Sequence, residues 1–574
     1  MLKCCARLAA VVGLIVLPVV LALSSPRPPA EPPSRPRLAV LVFFDQLRGD
    51  YPQRWDELFG RDGFRRLERD GAWFQNCHYP YANTVTGAGH ASVATGCSPR
   101  THGIVANEWY DRAARAKVNC VESERYQRVP PAAKVESKET AGGARRAKEY
   151  TGVAPDRLLA PTLADALKAE TGGRARVVSL SFKDRGAVLP GGRHPDACYW
   201  FDTDGGLFAT STWYRERAHP WVAEHNAARA ADRWFGGAWT RLRPDLDYED
   251  YSGKDDAPGE GKGVAQGVTF PHPFDGGPNK LKSVYYGALY NSPQGNQLLL
   301  ELARRAIDAE ELGRHDVPDL LCLSFSCNDP IGHTWGPDSQ EVLDVTLRTD
   351  LVIKELLDAL DARVGRGRYV LALTADHGVC PLPEAARAQG KDAGRVPAAL
   401  LKARANEFLV TRFGGDAKTR YVEEAIHPWV YLNHDLLKAK GLKPADVEAA
   451  LAAWLAEQTG ILAAYTHTQL TAGVAGDDTV GQTVWRSFHP DRAGDVGVVM
   501  KPYHIMYGLT GTTHGSPHAY DTHVPLMVYG PGVKAGVRTD LVRPQATAAI
   551  LARALGIPPP TNAEEPVPDG LFEK

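Results

Sequence analysis

The sequence predicts an α/β fold whose central sheet is mostly parallel. Apolar runs rich in β-branched residues alternate with helical patterns along the chain, and polar residues of the kind that bind ligands follow directly after several of the runs. Open α/β sheets bind ligands beyond the carboxyl ends of their strands. We therefore expect one functional site at that edge of the sheet.

The amino-terminal residues 1–25 predict a signal peptide. Two basic residues precede an apolar run from Leu8 to Leu23, and small residues follow. The run is shorter than the roughly 20 residues of a membrane-spanning helix and contains Pro18, so an uncleaved anchor is the alternative. Residues 26–37 are rich in proline and predict an extended linker. The protein is therefore expected to be exported, either periplasmic or secreted.

Candidate ligands follow four predicted strands and precede a fifth. The strands are RLAVLVFF, ARVVSLSF, DLLCLSFS, RYVLALT and the run from Val524 to Tyr529. The adjoining residues, in chain order, are Asp45, Lys183, Asp184, Arg185, Asp329, His333, Asp376, His377 and His514. Taken singly, an aspartate after a strand is often a helix cap or a turn residue. Their repetition at successive strand ends indicates a shared site.

Three aspartates and three histidines of this set form a mixed oxygen and nitrogen ligand group. Such a group suits zinc or a similar divalent ion, and six ligands are enough for two ions. Asp329 and His333 lie four residues apart, so one helical turn places them on the same face. They could form a surface contact or bind one ion together.

The segment NTVTGAGHAS, residues 83–92, places Thr84 and Thr86 at the start of a predicted helix. A threonine in this position is most simply an N-cap. If it faces two cations and the free N–H groups of a helix start, its hydroxyl can instead ionise and attack phosphorus. His90 is predicted to be a packed helix residue rather than a further metal ligand.

Taken together, the motifs resemble those of the alkaline phosphatase superfamily, and more narrowly its phosphate-irrepressible group, whose nucleophile is threonine. The matching segments are VFFDQLRGDY, NTVTGAGHASVATG, HGIVANEWYD, SFKDRGAVLPGG, SCNDPIGHTWGPDS, TADHGV and GTTHGSPHAYDTHVPL. They span nearly the whole chain after the linker, in order. The resemblance implies a three-layer α/β/α sandwich with a central, mostly parallel sheet and inserted cap elements.

The resemblance also implies a role for each site residue. Thr86 is the nucleophile, and Asn107, Lys183 and Arg185 bind the phosphate group. Two zinc ions per chain are implied. The ligands of one are Asp45, Thr86, Asp376 and His377, and those of the other are Asp329, His333 and His514.

The implied activity is that of an exported two-zinc alkaline phosphatase that hydrolyses phosphate monoesters through a phosphothreonine intermediate on Thr86. One alternative is a nucleotide pyrophosphatase/phosphodiesterase of the same superfamily. Another is a metal-binding surface protein without enzymatic activity. Lys183 and Arg185 favour the first, because a monoester dianion needs more cationic partners than a diester, although the same segment could be a solvated charge cluster.

Composition and spacing complete the predicted organisation. The catalytic domain is expected over residues 38–556, with insertions at about 190–310 and 383–505, and a tail over 557–574. A net charge of -2 does not favour nucleic acid or a membrane surface as a partner, and no stable membrane association is expected after signal cleavage. The resemblance implies small phosphate esters as partners. Seven cysteines after the linker do not suggest a disulfide framework. Their pairing, the substrate, the pH optimum and the oligomeric state stay open.

Overall fold

The first strand, Leu38–Phe44, lies inside a large sheet and is buried along its entire length. Its seven residues are all apolar, which is the pattern of a strand covered on both faces. The computed structural model describes residues 35–131, 151–278, 280 and 282–573. The predicted signal peptide, and the linker as far as residue 34, lie outside these residues.

Twenty-one strands occur in the described part of the chain. They are β1 Leu38–Phe44, β2 Ala72–Phe74, β3 Glu108–Asp111, β4 Ala116–Asn119, β5 Glu122–Val129, β6 Thr151–Val153, β7 Val177–Ser181, β8 Ala197–Asp202, β9 Leu207–Ser211, β10 Ala238–Trp239, β11 His272–Pro273, β12 Asp319–Phe325, β13 Tyr369–Thr374, β14 Gly394–Arg395, β15 Val422–Ile426, β16 Trp429–Leu432, β17 Ile461–Thr466, β18 Val496–Met500, β19 His504–Ile505, β20 Leu526–Tyr529 and β21 Gly536–Arg538.

The same residues contain twenty α-helices. They are α1 Tyr51–Arg54, α2 Phe64–Asp70, α3 Thr86–Thr95, α4 Pro99–His102, α5 Leu163–Glu170, α6 Asp184–Gly191, α7 Pro220–Ala227, α8 Tyr248–Ser252, α9 Lys282–Tyr290, α10 Pro293–Ala309, α11 Asn328–Trp335, α12 Gln340–Leu360, α13 Pro383–Ala388, α14 Ala398–Phe413, α15 His434–Ala439, α16 Pro444–Ala456, α17 His467–Ala472, α18 Thr479–Ser487, α19 Ala519–Thr522 and α20 Ala546–Leu555. Two short 3₁₀-helices, Asp56–Leu58 and Ala230–Trp234, and a π-helical turn, Asp361–Gly365, complete the regular structure of these residues.

The large sheet has the strand order β21-β2-β20-β13-β1-β12-β7-β8-β9-β5-β6. Its centre, from β13 to β8, is parallel, and antiparallel strands extend it on both sides. Helices α3, α5, α6 and α20 pack together as one group, and α9 to α12 pack together as another. Each group contacts strands of this sheet. This confirms the predicted three-layer α/β fold with a largely parallel central sheet.

The register of the sheet brings several strand ends to one edge. Phe44, the last residue of β1, pairs with Phe325, the last residue of β12, and Phe43 pairs with Thr374 at the end of β13. Strand β20 is antiparallel to β13, so its first residue, Leu526, lies opposite Thr374. The segments after β1, β12 and β13, and the segment before β20, therefore begin or end at the same edge.

A smaller four-stranded sheet, of order β15-β16-β18-β17, lies within the predicted insertion at residues 383–505. Helices α14 and α16 pack on it around a separate apolar core that includes Leu409, Tyr421 and Leu451. The other predicted insertion, residues 190–310, contains β8 and β9, which belong to the large sheet. In the predicted tail, Leu571 is buried and Phe572 forms a β-bridge with Val533.

Two further properties bear on the predictions. The seven cysteines in the described residues are all buried, and each is a free thiol. A search of these residues for a helix with the length and apolar character needed to cross a membrane finds none.

Candidate active site

The aligned strand ends bring the predicted ligands together in two groups of donor atoms. Asp45, Asp376 and His377 form one group, and Asp329, His377 and His514 form the other, with the donor atoms of each group within 4.8 Å of one another. His333 adjoins the second group, because its Nε2 lies 3.1 Å from Asp329 Oδ1.

We call Asp45, Asp376 and His377 cluster A, and Asp329, His333 and His514 cluster B. The ring of His377 stacks on that of His514 with 3.5 Å between the ring centres, which is why His377 is close to ligands of both clusters. Helix α11 supplies Asp329 and His333 one turn apart on the same face. The residues of both clusters are buried, except for the partly exposed His333.

The histidines of both clusters have ring orientations suited to binding metal. The Nδ1 atoms of His333, His377 and His514 donate to the backbone oxygens of Thr512, Gly378 and Thr84, at 2.6, 2.9 and 2.7 Å. A carbonyl oxygen can only accept, so Nδ1 carries a proton, and in the neutral ring the lone pair is on Nε2. Backbone partners of this kind fix the tautomer of metal-binding histidines.

The carboxylates of cluster A also fit a cation. Asp45 Oδ1 and Asp376 Oδ2 are buried, and neither accepts a hydrogen bond from the described residues. Buried anionic oxygens without partners are costly, and a divalent ion would satisfy them. The donor set of both clusters therefore fits two divalent ions.

The electrostatics of the site reflect an excess of buried negative charge. Burial, and then the neighbouring Asp376, raise the pKa of Asp45 well above its ordinary value, and burial raises that of Asp376 to about 6. Burial lowers the pKa of His514 to about 4, so the ring is neutral and able to bind a metal ion at neutral pH. Burial opposes the charge of Lys183, but the carboxylates of Asp329 and Asp45 outweigh it and raise the pKa of the lysine.

Thr86 is the first residue of helix α3 and lies between the two clusters. Its Oγ1 is 3.4 Å from His377 Nε2 and 3.2 Å from Lys183 Nζ. Helix α3 has Val85 at its N-cap, with no side-chain cap among the described residues, and Thr84 donates its hydroxyl to Ser516 O instead. The capping interpretation of the two threonines is therefore wrong.

The glycines after Thr86 allow close packing around its hydroxyl. Gly87 donates its N–H to Asn107 Oδ1 at 2.7 Å, which leaves the Nδ2 hydrogens of Asn107 as the donors for a ligand. A Cβ at Gly89 would overlap the backbone oxygen of Asp376. A glycine is therefore needed here for helix α3 to approach the end of β13. His90 is buried, and its two ring nitrogens contact Thr86 O and Ser324 Oγ, both at 2.9 Å, in agreement with a packing role.

Lys183 and Arg185 follow β7 on either side of Asp184. Lys183 Nζ forms ion pairs with Asp45 Oδ2 at 2.7 Å and with Asp329 Oδ2 at 2.6 Å, so it contacts both clusters. Arg185 lines a cleft of about 430 Å³, and its buried Nε has no acceptor among the described residues. Asp184 lies beside it and accepts the Arg185 N–H. Lys183 therefore lies beside Thr86 and both clusters, and Arg185 lies in the wall of the cleft that Asn107 also lines.

The cleft also contains residues that the sequence analysis did not single out. Its walls include Asn107, His333 and His514 from the predicted site, and Ile426, His427 and Met506 from the segments around the small sheet. His427 Nε2 contacts Gly515 O at 3.0 Å, which ties the turn between β15 and β16 to the segment that carries His514. These contacts join residues far apart in sequence, and no local motif predicts them.

Gln46 was also missed, although it lies next to Asp45. It is buried, and its Nε2 donates to Asp329 Oδ1 at 2.7 Å. The only signal in the sequence was a polar residue directly after a ligand, which did not distinguish it from other turn residues.

Comparisons with known proteins identify the family of this chain. The family model for type I phosphodiesterase / nucleotide pyrophosphatase matches residues 39–521. Alkaline phosphatase PhoV of Synechococcus elongatus is 33% identical over 505 residues, which cover 88% of this chain and 87% of PhoV. Alkaline phosphatase PafA of Elizabethkingia meningoseptica is 31% identical over 509 residues, which cover 88% of each protein. The chain belongs to the alkaline phosphatase superfamily.

The fold of this chain also matches that of a solved alkaline phosphatase structure. The crystal structure of wild-type PafA superposes with a TM-score of 0.84 at 30% identity, and the match covers 94% of this chain and 99% of that one. By homology to PafA and PhoV over most of its length, the chain is an alkaline phosphatase. Its two buried candidate metal sites are consistent with a superfamily whose members bind two metal ions.

Proposed function

We propose that this alkaline phosphatase hydrolyses phosphate monoesters with Thr86 as its nucleophile and two zinc ions as cofactors. The observation that carries the proposal is the position of Thr86 Oγ1 at the start of helix α3, 3.2 Å from Lys183 Nζ and 3.4 Å from His377 Nε2. A hydroxyl in this place faces both clusters of ligands and the N-terminal end of a helix, all of which favour its anionic form.

The ligand assignment follows the two clusters. Asp45, Asp376 and His377, with the Thr86 oxygen, would hold one ion, and Asp329, His333 and His514 would hold the other. Aspartate oxygens and neutral imidazoles suit zinc. When bound, the two ions would neutralise the buried carboxylates, lower the pKa of the nucleophile and stabilise the charge of the reacting oxygens.

The chain's own residues then account for the reaction. The Thr86 hydroxyl loses its proton to solvent and its oxygen attacks phosphorus; the bond between phosphorus and the ester oxygen breaks, and the leaving oxygen takes a proton from water. Water next attacks the phosphothreonine, which releases inorganic phosphate and restores the hydroxyl. In both steps Lys183, Arg185 and the Asn107 amide would bind the outer phosphoryl oxygens.

The cationic residues support a monoester as the substrate. A monoester carries two negative charges near neutral pH, and a diester carries one charge and a second organic group. Lys183 and the unpartnered Nε of Arg185 provide donors where the second charge would lie. The alternative is a phosphodiesterase, which the description of the matching family favours. Small phosphate esters are the proposed partners.

The cellular location is a proposal from the sequence alone. Residues 1–25 have the pattern of a signal peptide, so we propose that the enzyme is periplasmic or secreted, or membrane-anchored if this segment is not cleaved. An exported phosphatase of this kind would release phosphate from mixed organic esters outside the cytoplasm.

Two measurements on the purified protein test the proposal. Elemental analysis should find two zinc ions per chain, and about one metal per chain, or activity restored only by manganese, would overturn the two-zinc assignment. A panel of alkyl and aryl monoesters and matched diesters should show higher kcat/KM for monoesters. A preference for diesters would move the assignment to a phosphodiesterase, and hydrolysis of neither class by metal-loaded protein would favour a binding protein.

A further inference from the structure

Gln46 has a backbone conformation that glutamine rarely adopts. It is the third residue of a turn from Phe44 to Leu47, which is closed by a hydrogen bond from Leu47 N–H to Phe44 O at 3.2 Å. Its φ is 64°, in the left-handed region that favours glycine, and its side chain is buried. A residue held in this conformation at an active site suggests that its side chain is needed there.

Gln46 contacts carboxylates of both clusters. Its backbone N–H donates to Asp376 Oδ1 of cluster A at 3.1 Å, and its side-chain Nε2 donates to Asp329 Oδ1 of cluster B at 2.7 Å. It also follows Asp45 of cluster A in the chain. One residue is therefore bonded, covalently or by hydrogen bonds, to all three aspartates that the two clusters contain.

The helix that carries cluster B is shaped around this side chain. Helix α11 holds Asp329 and His333, with Gly332 between them. A Cβ at Gly332 would overlap Gln46 Oε1, so a glycine is needed for the amide to lie against the helix. The amide is a neutral donor, and it can orient the Asp329 carboxylate without adding a charge to the cluster.

We propose that Gln46 is a positioning residue that sets the orientation of Asp329 and so determines the metal affinity of cluster B. The inference rests on the proposed two-metal site. Gln46 Nε2 holds Oδ1 of Asp329 and Lys183 Nζ holds Oδ2, so the carboxylate cannot rotate freely and its remaining lone pairs keep a fixed direction. Cluster A depends on the backbone N–H of Gln46, which every substitution except proline retains.

The direct test is to measure zinc binding to Gln46→Gly. Glycine tolerates the φ of 64° and lacks only the side chain, so backbone strain does not contribute to the result. Loss of a hydrogen-bonding partner of a metal ligand typically weakens binding about 10–100-fold. Zinc affinity is measured by competition with a chelator. We expect one zinc equivalent to bind as in the wild type and the other to bind about 10–100-fold more weakly. Cobalt bound in place of zinc should show an altered absorption spectrum for one equivalent only.

Control variants separate this role from a general loss of structure. Gln340→Ala removes another buried amide, which lies away from the cleft and donates to Gly253 O at a distance of 2.7 Å. This variant should bind both zinc equivalents as the wild type does. Gln46→Asn keeps a residue tolerant of positive φ but shortens the side chain by one methylene, so it should weaken binding of the same zinc equivalent. It replaces the glycine variant as the test if that variant does not fold. The melting temperature of each metal-free variant checks its folding.

The possible outcomes are distinguishable. Wild-type affinity for both equivalents in folded Gln46→Gly, or equal weakening of both, would overturn the assignment of Gln46 to cluster B. A wild-type protein that binds only one metal ion would overturn the two-metal proposal itself, and the role of Gln46 with it.

Discussion

Removal of either cationic side chain beside the nucleophile should reduce monoester hydrolysis much more than diester hydrolysis. Lys183 Nζ lies 3.2 Å from Thr86 Oγ1, so a phosphoryl group attached to that oxygen places its outer oxygens within reach of the ammonium group. Two unit charges about 4 Å apart interact by about 4 kcal/mol at an effective dielectric constant of about 20. Loss of one donor at a reacting oxyanion costs about 2.7–4 kcal/mol in known enzymes.

These magnitudes set the expected result for Lys183→Ala and Arg185→Ala. We expect each substitution to remove about 2–4 kcal/mol of transition-state stabilisation, which lowers kcat/KM for an aryl monoester about 30–1,000-fold. The matched methyl aryl diester has one charge fewer, so its kcat/KM should fall by less than about tenfold. Steady-state rates with both substrates on the same zinc-loaded preparations measure the ratio.

A matched control shows whether the effect is specific to the cleft. Arg193→Ala removes a partly exposed guanidinium that lies outside the cleft and pairs with Asp165 at a distance of 3.2 Å. This substitution should change neither rate. Equal losses for monoester and diester in the Lys183 and Arg185 variants would refute the charge argument. Such a result would favour the phosphodiesterase alternative.

Two further substitutions test the packing and the electrostatics of the fold. Gly89→Ala should push helix α3 away from Asp376, lower the free energy of unfolding by about 1–3 kcal/mol and reduce kcat/KM about 100-fold. The measurements are urea unfolding and hydrolysis rates, and the control is Gly476→Ala, where the added methyl group meets no other atom. Equal behaviour of the two variants would contradict the prediction. Burial, and then the nearby Glu341, raise the pKa of Glu260 to about 9 from an ordinary value of 4.5. The wild type should therefore lose stability as the pH rises from about 4.5 towards 9, and Glu260→Gln should lose less between pH 6 and pH 9 in urea unfolding. An unchanged slope would show that Glu260 is ionised in the folded protein at pH 6.

The central sheet could be predicted from the sequence because its strands are continuous apolar runs. The predicted strands RLAVLVFF and RYVLALT end at Phe44 and Thr374, as in the structure, and the predicted strand DLLCLSFS ends at Ser326, one residue beyond the observed end at Phe325. The residues that follow them meet because parallel strands end at one edge. Local composition therefore contained most of the information about where the two clusters lie.

Other features depend on contacts that no local pattern contains. The choice between Thr84 and Thr86 came from a resemblance, and the structure distinguishes them because Thr84 donates to Ser516 O and Thr86 faces Lys183. The hydrogen bond from Gln46 to Asp329 joins residues 283 positions apart in the sequence. The positive φ of Gln46 is likewise not indicated by the local sequence. The wall formed by His427 arises from tertiary packing of the small sheet, which a sequence pattern does not encode.

The measurement that tests the central claim most directly is to identify the residue that becomes phosphorylated during turnover. The enzyme is mixed with a phosphate monoester, quenched in acid within the first turnover and digested for peptide mass mapping. Our account predicts the added mass of one phosphoryl group on Thr86 and its absence in Thr86→Ala, with hydrolysis by that variant strongly reduced. A phosphoryl group on another residue, or undiminished hydrolysis by Thr86→Ala, would contradict it.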